Sequence, residues 1–109
     1  MNPRRGEIWG GALDPTLGSE IAKTRTCVVF SHDAVNQNRR TVAAVPLSSA
    51  SSAHIPILVA VSCGGRRAVA VVDRIGAIAK QRVRSRIGLL TGPEMEAAGE
   101  ALRQILDFA

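Results

Sequence analysis

The sequence predicts a mainly β fold with one α element: a small antiparallel β-barrel, or strongly twisted sheet, followed by a C-terminal helix. Three observations lead there. Four or five short apolar and β-branched runs follow one another, separated by polar or glycine-rich turns, as in small all-β domains. The only convincing helical pattern comes last, after residue 91. The chain has 109 residues, room for one domain (1–109) and not two, and 46% of them are hydrophobic, enough for a core. Aromatics make up only 3%, so that core must be aliphatic.

The elements can be justified in order. Residues 5–13 (RGEIWGGAL) open the fold with a strand through Ile8 and Trp9, and Gly10-Gly11 signals a bulge or a close backbone approach. Residues 14–23 are a loop punctuated by Pro15 and Gly18. Residues 24–31 (TRTCVVFS) read as a buried strand, and 32–40 as a polar, turn-rich connection. Residues 41–48 (TVAAVPLS) form the next strand. Pro46 has no N–H to give a ladder, so it marks an edge, a bulge or the strand end. A loop of small residues (49–53) leads to the apolar run 55–62, a hairpin turn at Gly64-Gly65-Arg66, and a strand 68–73 ending on Asp73.

Residues 79–84 suggest one short helical turn, and 86–90 a last small strand. Thr91-Gly92-Pro93-Glu94 then has the spacing of a capping box, in which hydroxyl and carboxylate satisfy free backbone donors. Pro93 suits a first helical turn, and Glu94 and Glu96 suit the positive end of the dipole. Met95, Ala98, Leu102, Ile105 and Leu106 fall on one face, which predicts a helix packed on the sheet.

Fourteen basic residues against nine acidic give a formal charge of +5, which favours a polyanionic partner. Cys27 and Cys63 form no C-x-x-C pair and have no metal-ligand spacing with His32 or His54, so no metal site is expected. Cys27, inside TCVVF, reads as a buried thiol. Arg4, Arg5 and Glu7 interrupt any apolar leader, and no run approaches 18 apolar residues. The expectation is therefore no membrane and a cytoplasmic location.

Five pieces of the chain resemble the MazF/PemK toxin endoribonuclease family of type II toxin–antitoxin systems. They are Arg5-Gly6-Glu7-Ile8-Trp9; Asp14-Pro15-Thr16-Leu17-Gly18-Ser19-Glu20; Arg25; the loop with Ser31, Asp33 and Asn36; and Val45-Pro46-Leu47-Ser48. Ile78-Ala79-Lys80-Gln81-Arg82 and the terminal helix extend the likeness more loosely. Three departures accompany it. Thr26 stands where proline is usual, Ser48 where threonine is usual, and Gly76-Ala77, with Ala79, where a polar Arg-Thr pair and an Asp are common.

The resemblance implies a PemK-type, SH3-like barrel and a metal-independent, cofactor-free, sequence-specific endoribonuclease that cleaves single-stranded messenger RNA to inhibit translation and growth. Its products would be a 2′,3′-cyclic phosphate and a 5′-hydroxyl. It also implies a homodimer neutralised by a cognate antitoxin with an acidic tail. Arg25 is the first catalytic candidate, because a guanidinium forks onto two phosphate oxygens where negative charge accumulates. The bland reading is a strand-end arginine paired with Glu20 or Asp73. Ser48 is the second, able to donate to a non-bridging oxygen, and otherwise a solvated loop serine. Asp73 is either a base for the 2′-hydroxyl or an ion-pair partner of Arg25 or Arg74. For RNA binding the candidates are Thr16, Leu17 and Ser19 (a base pocket), Glu20 (a base edge, or Arg25), Lys23 (phosphate) and Ser49. The run Lys80, Arg82, Arg84 and Arg86 is a solvated face or a seat for the antitoxin. His32 and His54 match no motif position.

Two other readings use the same fold: a toxin that poisons DNA gyrase without hydrolysis, and a relative that only binds RNA. Arg5-Gly6-Glu7 together with Arg25 and Ser48 favours the nuclease, whereas Gly76-Ala77 favours the binder.

Overall fold

A computed structural model describes residues 2–11, 25–48 and 58–107. The order of elements is β1 (Glu7–Gly11), β2 (Arg25–Val29), α1 (Asp33–Asn38), β3 (Thr41–Ser48), β4 (Leu58–Cys63), β5 (Arg66–Val71), a 3-10 turn (Val72–Arg74), β6 (Gly76–Ala79), a second 3-10 turn (Lys80–Arg82), β7 (Val83–Leu89) and α2 (Gly92–Leu106). The strands join one sheet in the order β4-β5-β3-β2-β1-β7, with β6 also on β3, and every pairing is antiparallel. The sheet curls so that its two ends, β4 and β7, approach each other. The expected small antiparallel barrel, or strongly twisted sheet, with a C-terminal helix takes the form of a curled half-barrel.

Alternation along the strands creates two faces. One face carries Ile8, Val28, Val45, Leu47, Ala70 and Val61, and α2 lays Ala98 and Ala101 against it. These small residues let the helix approach the sheet closely, while Met95, Leu102 and Ile105 pack around them. The other face carries a smaller buried cluster of Trp9, Cys27, Val29, Val42, Ala44 and Val83. Each fully buried Val, Leu or Ile contributes about 1.5–3 kcal/mol, so a shift of any strand by one residue would exchange both faces at large cost.

The predicted start of α2 is present in full. The Thr91 hydroxyl accepts from the Glu94 N–H, and Glu94 Oε1 accepts from the Thr91 N–H at 2.8 Å. The second oxygen of Glu94 accepts from the backbone N–H of Ser62 on the edge strand β4, at 2.8 Å. One carboxylate thus caps the helix and satisfies an edge donor. Leu106 departs from the predicted buried stripe and is 50% exposed, while Ala101, outside that stripe, is buried.

Three local expectations are corrected. Residues 33–38 are a helix rather than a loop. Six residues do not hold a helix alone; here the His32 ring accepts from the Ala34 N–H, and Asn36, fully buried, anchors the turn. Pro46 lies inside β3 rather than at an edge. On that flank β6 pairs as far as Ala44 and β5 begins at Leu47, so the proline falls in the gap between two partners. β6 itself was not expected, because GAIA is too short and too small to signal a strand, and its place comes from pairing with β3. The glycine turn behaved as predicted: Gly64 and Gly65 both have positive φ, the geometry of a two-residue hairpin turn.

Candidate active site

The β2–β3 ladder runs Val29↔Ala44, Val28↔Val45, Cys27↔Pro46 and Thr26↔Leu47. The same register carried one residue further sets Arg25 opposite Ser48. Directly opposed residues of an antiparallel pair point to the same face, with Cα atoms about 5 Å apart. Arg25 is exposed and Ser48 half-buried, and both belong to the face of Cys27 and Val29, away from α2. The arrangement therefore offers a fixed cation and a neighbouring hydroxyl to one exposed spot.

Neighbouring strands shape that spot. On the β1 side, Arg25 is opposite Gly11, which contributes no side chain. A Cβ at Gly11 would lie 2.0 Å from the carbonyl oxygen of Arg82, so only glycine lets the turn before β7 pass there. The doubled glycine produces both effects its sequence suggested, since the β1–β7 register also shifts between Gly10 and Gly11. Below Arg25 on the same face lies Cys27, fully buried, with its thiol pushed up to about 12 by burial. The site thus rests on an unreactive apolar floor.

Asp73 lies past the end of β5, exposed on the 3-10 turn that packs against β3 and α2. Thr16, Leu17, Ser19, Glu20, Lys23 and Ser49 lie outside the described residues, as does His54. The segments that hold them join β1 to β2 and β3 to β4, leaving from Gly11, Arg25 and Ser48 themselves.

Other motif residues hold structure. Gly6 has φ 89, which an L side chain tolerates poorly; this explains the glycine of Arg5-Gly6-Glu7. The backbone N–H of Arg5 donates to Asp33 Oδ1 at 2.8 Å, and its guanidinium donates to the Phe30 carbonyl and lies over the Phe30 ring. Asn36 donates to the Ser31 carbonyl at 2.9 Å and accepts from the Ser31 hydroxyl, which in turn accepts from the Ala43 N–H. Ser31 and Asn36 therefore tie α1 to β3, and Asp33 ties it to the segment before β1. The Arg5 N–H, ahead of lesser contributions from Asn36, Arg4 and His32, holds the Asp33 carboxyl below its usual range.

A cluster that sequence reasoning missed surrounds Glu7. Its carboxylate accepts from the Arg4 N–H at 2.7 Å, the Trp9 indole at 3.1 Å and Arg86 Nε at 2.7 Å. Burial pushes its pKa up, but these bonds and the Arg86 charge together outweigh burial and hold it below normal. The partners are separated by up to 79 positions, and no spacing rule links them. The basic run also divides: Lys80 donates to the Asn36 carbonyl and Arg86 to Glu7, while Arg82 and Arg84 face solvent. Among the described residues no three His, Cys, Asp or Glu gather as metal ligands, and no helix is long and apolar enough to cross a membrane.

Comparison with known proteins bears on the family and the fold. A family model described as PemK-like, MazF-like toxin of type II toxin-antitoxin system matches residues 4–106. The endoribonuclease MazF9 of Mycobacterium tuberculosis is 34% identical, covering 96% of this chain and 97% of its own. A mycobacterial endoribonuclease solved in complex with its cognate antitoxin superposes with TM-score 0.80 at 25% identity, over 98% of this chain and 97% of that one. A MazE–MazF structure from Deinococcus radiodurans gives TM-score 0.87 over 100% of this chain and 99% of that one, and at 19% identity it speaks for the fold alone. With the family model spanning nearly all of its length, the chain belongs to the PemK-like, MazF-like toxins of type II toxin–antitoxin systems.

Proposed function

We propose that this chain is an endoribonuclease toxin that cuts single-stranded RNA, messenger RNA included, at a preferred sequence in the cytoplasm, and that Arg25 and Ser48 together hold the scissile phosphate. The observation that carries the reading is the register that sets these two residues opposite each other on one exposed face. The family and the similarity to an endoribonuclease over nearly the whole chain support the reaction class.

In the reaction the substrate's own 2′-oxygen attacks phosphorus, the bond from phosphorus to the 5′-oxygen breaks, and a 2′,3′-cyclic phosphate and a 5′-hydroxyl result. The 2′-proton leaves to a base, and a proton returns to the 5′-oxygen. A guanidinium is a donor and not a base, so the role of Arg25 is to offset charge on the phosphorane rather than to remove a proton. Ser48 donates to a non-bridging oxygen. The candidates for the base are Asp73 on the turn after β5, water, and a group carried by residues 12–24 or 49–57. The partners are a second copy of the chain and a cognate antitoxin; a mycobacterial endoribonuclease of the same fold was solved with its own antitoxin.

The test is digestion of a long single-stranded RNA in EDTA, with mapping of the 5′ ends. Discrete cuts bearing 5′-hydroxyls, absent with Arg25→Ala, are the expected result. Intact RNA that remains bound would replace the nuclease with a binding module, and intact RNA with stalled gyrase would replace it with a gyrase poison.

A further inference from the structure

Two adjacent arginines open β5, and the sheet sends them in opposite directions. Val69 pairs with Ser48 across β3–β5, so Val69 shares the face of Ser48 and Arg25. Arg67 lies two residues before Val69 and points the same way. Its partner across β4–β5 is Ser62, and the row of Val69 is completed by Ala60. Arg66 pairs with Cys63, which packs against the core beneath α2, and so belongs to the opposite face.

Arg67 is exposed, and among the described residues it has no carboxylate partner. Its cross-strand neighbour is a small hydroxyl residue, and the residues between it and Ser48 are small or half-buried, so nothing bulky separates the two. Two strand spacings and two residue rises put Arg67 and Arg25 about 12 Å apart between Cα atoms. Two arginine side chains, leaning together, span that interval along a strand of nucleotides. A cation so placed adds a backbone contact without reading any base.

We propose that Arg67 grips an RNA phosphate next to the one held by Arg25 and Ser48, so that the cleaving face extends across β3 onto β5. This rests on the nuclease reading above. Its role is substrate binding rather than the chemical step: the residue contacts a phosphate that does not react.

Arg66 supplies an internal control, since Arg66→Gln removes the same charge one residue away on the other face. The wild type, Arg67→Gln, Arg67→Lys and Arg66→Gln would be compared for kcat and KM on a single-stranded RNA at several salt concentrations. Binding of a 2′-O-methyl version of that RNA, which cannot be cut, would be measured in parallel. Arg67→Gln should raise KM and the Kd of the uncut RNA about tenfold, change kcat less than about twofold, and reduce the log–log salt slope by about 0.7. Arg67→Lys should recover most of the binding, and Arg66→Gln should stay within about twofold of wild type. Equal losses in Arg66→Gln and Arg67→Gln would show a general charge effect and overturn the proposal, as would an unchanged Arg67→Gln. A wild type that binds the uncut RNA but never cuts overturns the nuclease reading alone, because the binding comparison still decides the role of Arg67. Circular dichroism spectra that coincide for the four proteins exclude loss of fold as the cause.

Discussion

The carbonyl oxygen of Arg82 occupies the place where a side chain on Gly11 would begin, 2.0 Å from the ideal Cβ position. Gly11 is also the β1 neighbour of Arg25. Backbone, unlike a flexible side-chain tip, cannot swing aside. Gly11→Ala should therefore cost about 3 kcal/mol, the upper end of ordinary overpacking, and lower Tm by roughly 15 °C. Gly99, in α2, has nothing within 4 Å of its ideal Cβ position. Gly99→Ala should instead stabilise by about 0.5–1 kcal/mol through helix propensity. Thermal melts of both variants check the pair, and a Gly11→Ala protein with the wild-type Tm would contradict the close approach.

Glu7 makes stability pH-dependent in a predictable direction. Its folded pKa lies below the ordinary value of 4.5, so its contribution is complete above that value and disappears as pH falls through the folded pKa. Glu7→Gln keeps an acceptor for Trp9 but loses the charge that holds Arg86. The Arg86 side chain is 51% exposed, which limits the effect to about 1 kcal/mol at pH 7. At pH 3 that difference should be smaller than at pH 7. Denaturant titrations of both proteins at the two pH values decide it; a gap of constant size would mean that packing, not charge, sets the contribution.

Under the proposed mechanism the oxygen of residue 48 matters and its methyl does not. Ser48→Ala should reduce kcat about 100-fold, the loss seen when one donor to a developing oxyanion is removed. Ser48→Thr should remain within a few-fold of wild type. Rates on one RNA substrate, at saturation, measure both. Equal activity of the wild type and the Ser48→Ala variant would leave Arg25 without its partner.

The two thiols should react very differently. Cys27 is fully buried, and burial raises its pKa to about 12, so almost no thiolate exists at pH 8. Cys63 is half-buried on the edge strand β4. Iodoacetamide should label Cys63 in the native protein and Cys27 only after denaturation, as read by mass spectrometry. Native labelling of both at similar rates would mean that the floor beneath Arg25 opens to solvent.

Much of the architecture was legible because it is written in local pattern. The capping box at Thr91-Glu94, the Gly64-Gly65 turn and the apolar strands each depend on residues within a few positions of one another. α1 and β6 were not legible: the first is held by Asn36, which bonds back to Ser31 and receives Lys80, and the second by pairing with β3. Leu106 satisfied the helical period yet remains half exposed at the last residue of α2.

The sequence by itself determined the strand-rich composition, the single terminal helix, the basic charge and the family motifs that nominated Arg25 and Ser48. Only the tertiary structure decided that those two residues share a face, that Asp73 sits on a turn beyond the end of β5, that Glu7 gathers Trp9 and Arg86, and that Arg67 rather than Arg66 turns toward the pair. The physical reason is the two-residue period of a strand. A side chain's face follows from the register with its neighbours, and register is fixed by pairings between residues far apart in the chain.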